Sequence, residues 1–276
     1  MLLDIKVKDM DDVSYANEGI EFGFIQTSLG KIYYKHIIGE GDKLLLIHGV
    51  GSYIETWDPL IKYFKDGQDI WIIDLLGHGR SDAPEIEYTV KSETEVIREF
   101  VISKNLENSI LVGNSYGGWL IAYYSILGYP ARGLVLENPL GTKDYFDWLQ
   151  RIGMLEWGRQ SIIKNAMTES INNERVIKSI CNDHYKKYLL TNENLQTINI
   201  PTLIIAGSRD VRILHKFTEN LGLKINNSKT VVIKGGGHIT HYSRPESMAN
   251  AIEDFAKELR KDSFAKEVFP QKILLK

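Results

Sequence analysis

Short apolar runs recur along the chain, each closed by Gly, Pro or Asp and most followed by an amphipathic stretch. Two early runs, Phe22–Thr27 and Lys31–Ile38, predict antiparallel strands joined at Leu29-Gly30. Six more follow: Lys43–Ile47, Asp69–Ile73, Ser109–Val112, Gly133–Leu136, Thr202–Ile205 and Thr230–Ile233. They are continuously apolar rather than alternating, as strands covered on both faces must be. Helical periodicity fills most of the gaps, over Tyr53–Phe64, Val90–Asn105, Gly117–Leu127, Leu214–Leu221 and Pro245–Lys261. Strand and helix in alternation predict an α/β sheet with helices on both faces.

One span breaks the alternation. Residues 141–199 show helical patterning with no clear strand, and carry Tyr145, Phe146, Trp148, Met154, Leu155, Trp157 and Met167. We expect a helical insertion here, packed over one edge of the sheet, with residues 1–140 and 200–276 forming the core. Trp148 and Trp157 are the candidates for lining a substrate pocket beneath it. The stretch Lys266–Lys276 has no assignment.

Composition narrows the partners. The 276 residues carry 33 Lys and Arg against 36 Asp and Glu, a formal net charge of -3, with no basic cluster of the kind that tracks phosphates. Nucleic acid is therefore not expected as a partner; a small-molecule substrate is. The single cysteine, Cys181, excludes an intramolecular disulfide and suits a reducing compartment. The opening MLLDIKVKDMDD is too acidic for a signal peptide, and no run reaches the roughly 18 apolar residues of a membrane span. A cytoplasmic location is the expectation. The seven histidines and one cysteine form no metal-ligand spacing, and GVGS lacks the frame of a dinucleotide or phosphate loop, so neither metal nor cofactor is expected.

The chemistry concentrates at Gly113-Asn114-Ser115-Tyr116-Gly117, a G-x-S-x-G pattern directly after an apolar strand and before a helical stretch. Such a turn lifts the serine hydroxyl clear of the sheet and aims the next backbone N–H at a developing oxyanion. Ser115 is the candidate nucleophile. A serine needs a base, and His238 follows the last strand across a flexible KGGG; His241, three residues on, is its rival. A third group must orient the base. Asp210, just past the strand Thr202–Ile205, is favoured for this, with Glu137 as the alternative. The N–H groups of Val50 and Tyr116 are the candidate oxyanion donors. His48 and the loop Asp74–Asp82 read as structural.

HGVGS at His48–Ser52, DLLGHGRSD at Asp74–Asp82, GNSYGG at Gly113–Gly118, PTLIIAGSRD at Pro201–Asp210 and GGGHITHYSRPE at Gly235–Glu246 together resemble the α/β-hydrolase superfamily. The resemblance runs from about Phe22 to Leu259. It implies an α/β-hydrolase fold with an eight-stranded, mostly parallel sheet, and it makes residues 141–199 the cap. GNSYGG is also similar to the nucleophile loop of hydrolases that cleave C–C bonds in ring-fission products, whereas HGVGSY lacks their longer Gly-Pro-Gly run. A serine at 115 sets the chain apart from the haloalkane dehalogenases and soluble epoxide hydrolases of this fold, which use Asp there. The expected activity is that of a carboxylesterase acting on a small, largely apolar substrate. Alternatives that keep the triad are C–C or thioester hydrolysis and acyl transfer; a ligand-binding signalling protein is the non-enzymatic one.

Overall fold

A computed structural model describes residues 19–65, 67–166, 174–261 and 271–275; Met167, the first twelve residues and the stretch 262–270 lie outside them. Nine strands are present among the described residues: β1 (Ile20–Gln26), β2 (Lys31–Ile37), β3 (Lys43–Ile47), β4 (Asp69–Ile73), β5 (Ile110–Asn114), β6 (Gly133–Glu137), β7 (Thr202–Gly207), β8 (Ser228–Ile233) and β9 (Gln271–Leu275). They form one sheet in the order β1-β2-β4-β3-β5-β6-β7-β8-β9. β2 pairs antiparallel with both β1 and β4; every other pairing is parallel. The eight expected strands are all there. The ninth comes from the unassigned tail and pairs with β8 from Lys229↔Gln271 to Ile233↔Leu275.

The apolar runs serve two cores at once, because side chains alternate across a strand. In β3, Leu45 and Ile47 join one buried cluster while Leu44 and Leu46 join the other. The same split separates Leu111 from Val112 in β5 and Leu136 from Val135 in β6. The first cluster is roofed by the helices Val90–Ser103 and Tyr116–Ile126, whose Ile97, Phe100, Leu120 and Ile121 are fully buried. The second is closed by Trp57, Leu60 and the helix Pro245–Arg260, through Met248, Ile252 and Phe255. Each such side chain contributes about 1.5–3 kcal/mol of burial. The helix at Val90 starts on a reciprocal cap, Thr89 Oγ1 accepting from Ser92 N while Ser92 Oγ accepts from Thr89 N.

The helix expected over Tyr53–Phe64 is shorter and split. A 3-10 turn, Ile54–Trp57, leads into one α turn, Asp58–Ile61, with Pro59 at its start. Proline supplies no N–H, so it opens a helix and cannot continue one.

Between β6 and β7 the chain forms the helices Lys143–Arg151, Leu155–Ala166 and Glu174–Ile180 and a short turn Asn192–Leu195. Tyr145, Leu149, Ile213 and Phe217 build a small separate cluster that ties this insertion to the loop after β7. No helix among the described residues is long and apolar enough to cross a membrane.

Candidate active site

In a parallel sheet the loops leaving the carboxyl ends of the strands gather along one edge. Here that edge collects Gly49 and Val50 after β3, Ser115 after β5, Asn138 after β6, Asp210 after β7 and His238 after β8. A cavity of about 710 Å³ opens among them, lined by Gly49, Val50, Ser115, His238 and, from the insertion, Trp157 and Ile162. That volume is typical of a site enclosing one small molecule.

Ser115 sits in strained backbone, at φ 51 and ψ -110. A non-glycine residue there costs on the order of 1–3 kcal/mol unless its surroundings over-determine it. They do. Ser115 N–H donates to Glu137 O at 2.9 Å, and Ser115 O accepts from Leu140 N at 2.9 Å and Trp119 N at 3.1 Å. The flanking glycines are steric necessities. A Cβ at Gly113 would stand 2.5 Å from the Gly117 carbonyl group; one at Gly117 would stand 2.6 Å from His48 O and strike Ile47 O. Strand, turn and helix are thus pressed together so closely that the serine has one place to go. Tyr116 opens the following helix, so its N–H has no acceptor within that helix. Its ring is fully buried, and burial pushes its hydroxyl pKa well above the usual range.

The structure pairs the two histidines and two carboxylates in one specific way. His238 Nδ1 donates to Asp210 Oδ2 at 2.8 Å, and Asp210 Oδ1 accepts from the N–H groups of Arg212 at 2.8 Å and Ile213 at 3.0 Å. Asp210 is buried, while His238 lines the cavity that Ser115 also lines. Glu137 and His241 pair with each other instead. His241 donates to Glu137 through Nδ1 at 2.7 Å and through its own N–H at 2.9 Å. Both side chains of this second pair are buried, and the imidazole stacks on Trp57 at 3.9 Å between ring centroids. Neither lines the cavity.

The loop carrying Val50 is held from behind. His48 Nδ1 donates to Gly49 O at 2.7 Å, and His48 Nε2 accepts from Leu75 N at 3.0 Å, which requires a neutral ring. Burial, with His78 beside it, lowers the His48 pKa to about 3; burial lowers that of His78 to about 4. In the loop Asp74–Asp82, Asp74 accepts from Ile54 N at 2.8 Å and Arg80 N at 2.9 Å, and burial lifts its pKa to about 7. Ser81 Oγ donates to Asp74 O at 2.7 Å. This is a folding device, as its glycines and polar residues suggested.

Of the two tryptophans expected at the pocket, only Trp157 lines it. Trp148 is turned into the cluster with Tyr145 and Phe217, 5.4 Å from the latter's ring, because the apolar face of the helix Lys143–Arg151 packs against the loop after β7. One residue was missed altogether. Asn138, fully buried and at φ 41, donates through Nδ2 to His238 O at 2.9 Å, Thr240 Oγ1 at 3.0 Å and Gly237 O at 3.2 Å, and accepts from Gly207 N at 2.9 Å. Asn114 Nδ2 adds a second bond to His238 O at 3.1 Å. An Asn directly after a strand is the signal that could have found it, since Asn tolerates left-handed backbone.

This edge of a sheet, with a strained serine between strand and helix, marks a class of hydrolase. Residues 44–251 match the sequence model of the alpha/beta hydrolase family, and the chain belongs to it. Among curated relatives, (E)-2-((N-methylformamido)methylene)succinate hydrolase of Acinetobacter baylyi is 25% identical, over 78% of this chain and 90% of its own length. The 2-hydroxy-6-oxo-6-(2'-aminophenyl)hexa-2,4-dienoic acid hydrolase of Metapseudomonas resinovorans is 23% identical, over 91% of this chain and 94% of its own. A solved carboxylesterase from Bacillus subtilis superposes with a TM-score of 0.65 at 19% identity, covering 86% of this chain and 91% of that one; this likeness is one of fold.

Proposed function

We propose that the protein hydrolyses a carboxylic ester through an acyl-enzyme on Ser115. The observation that carries this is the Asp210–His238 pair, whose histidine lines the same cavity as the strained serine. Since a carboxylate only accepts, His238 Nδ1 holds the proton and Nε2 is left to take one. In the proposed sequence, Nε2 removes the Ser115 proton as Oγ attacks the ester carbonyl. The N–H groups of Val50 and Tyr116 hold the oxyanion, and the imidazolium, steadied by Asp210, returns the proton to the departing alcohol. Water, activated by the same nitrogen, then releases the acid. The helical insertion acts as the cap, contributing Trp157 and Ile162 to the pocket wall.

Replacing Ser115 by Ala should leave the circular dichroism spectrum intact and lower turnover of short p-nitrophenyl esters by about 10⁴-fold or more. A fluorophosphonate should label Ser115 and nothing else. Retained turnover in the variant excludes the reading.

Asn114 favours a second reading, C–C bond hydrolysis. It precedes the serine and lines the cavity, and one relative above is named for a 2-hydroxy-6-oxo-dienoic acid, a vinylogous diketo acid. Assay of a vinylogous diketo acid beside the ester panel separates the two.

A further inference from the structure

Ten large hydrophobic side chains stand exposed among the described residues, and four of them border this one cavity. They are Trp157 at 64% exposure, Val211 at 86%, Ile239 at 36% and Tyr242 at 66%. Exposed apolar side chains scattered singly are ordinary; gathered round one opening they mark a surface that something covers. The four come from three separate elements. Trp157 lies on the helix Leu155–Ala166, Val211 directly follows Asp210, and Ile239 and Tyr242 follow His238. Deeper in, Val50, Leu140, Ile162 and Ile213 continue the apolar lining. Two formally charged side chains belong to the wall: Glu55, paired with Arg80 at 2.7 Å, and the exposed Arg212 between Val211 and Ile213, a cation suited to the polar end of an amphiphile.

We propose that the site takes a monomeric amphiphile. Its scissile carbonyl lies at Ser115, and a medium-chain acyl tail runs outward across the rim of Trp157, Val211, Ile239 and Tyr242. This rests on the ester-hydrolase reading and narrows it to a substrate class. The rim encircles the mouth of a cavity sized for one molecule, which suits a single chain more than a lipid surface. Each methylene that the rim takes from water multiplies affinity by about fourfold, so two methylenes give more than tenfold.

The test has two arms. In the first, kcat/KM is measured for p-nitrophenyl acetate, butyrate, octanoate and decanoate, all below their micelle concentrations. It should rise at least tenfold from butyrate to octanoate. In the double variant Val211→Ser, Tyr242→Ser the octanoate-to-butyrate ratio should fall at least fivefold. The second arm needs no turnover: the Ser115→Ala protein is titrated with dansyl-undecanoic acid, and the two rim substitutions should weaken binding by a similar factor. A flat chain-length profile overturns the inference while leaving the ester reading in place. So does activity that appears only above the micelle concentration, which assigns the rim to a lipid–water interface. If no ester is cleaved yet the tail probe binds at the rim, the acyl-chain site stands and the ester reading falls.

Discussion

Substituting Asn138 tests how the histidine loop is held. Its amide group faces three acceptors, but an NH₂ has two hydrogens, so two strong bonds run to the loop Gly237–Thr240. Its oxygen makes a third bond, to Gly207 N–H at the end of β7. One buried side chain thus ties β6, β7 and the His238 loop together. Asn138→Ala removes three bonds at about 1 kcal/mol each and strands the Gly207 N–H, for a loss of about 3–5 kcal/mol. Alanine at φ 41 adds about 1 kcal/mol more. Asn138→Asp is the sharper variant. It keeps the shape and the bond to Gly207, but turns an oxygen toward the carbonyls of Gly237 and His238. Two donors become repulsions, and we expect a loss of about 3 kcal/mol or more. Urea unfolding followed by tryptophan fluorescence reads the stability. On the proposed mechanism, turnover of p-nitrophenyl butyrate by the folded fraction reads the position of His238, and should drop by roughly 10–100-fold when that base is misplaced. An unchanged midpoint and unchanged turnover in the Asn138→Asp variant would refute the role of this amide.

Three further outcomes follow from the same geometry. Asp210→Asn should keep the fold and lower kcat by roughly 10³–10⁴, because the amide no longer selects the His238 tautomer; steady-state kinetics on the ester panel reads this. Gly117→Ala should destabilise by more than about 3 kcal/mol or fail to fold, its methyl meeting backbone oxygens of Ile47 and His48 that have no room to retreat; thermal melts decide it. Glu93 is buried with both carboxyl oxygens lacking partners among the described residues, and burial raises its pKa well above 4.5. Below pH 4.5 both folded and unfolded chains are protonated and the burial costs no ionisation. Above it only the unfolded chain ionises, so stability falls by about 1.4 kcal/mol per pH unit until the folded pKa is reached. Glu93→Gln should therefore be more stable than the parent at about pH 8, with the gap closing toward about pH 4; equal urea midpoints at both ends would contradict it.

Much of the architecture was legible without coordinates. Six continuously apolar runs became six strands, because a strand buried on both faces leaves an unbroken apolar signature, and the two early runs became the antiparallel, half-exposed pair β1 and β2. G-x-S-x-G after such a run placed Ser115 at a strand-to-helix turn, since only glycines allow the approach seen at Gly113 and Gly117. These are local facts, written within a dozen residues. β9 was not legible: its five residues acquire meaning only from the register that pairs them with Lys229–Ile233.

Tertiary structure decided everything that joins distant residues. Two histidines three apart and two carboxylates on neighbouring strand ends allow more than one pairing by sequence. The parallel register sets Glu137 beside Asn114 and Ile205, deep at the base of the edge, where His241 reaches it and His238 does not. Asp210 lies three residues beyond the end of β7, level with the histidine that the Lys234–Gly237 loop delivers. The same holds for the tryptophans: both lie on amphipathic helices, and only the docking of those helices put Trp157 at the cavity and Trp148 in the packing behind it. Periodicity and turn chemistry act along the chain, whereas which side chain meets which depends on strand register and helix docking, and these arise only when the whole sheet closes.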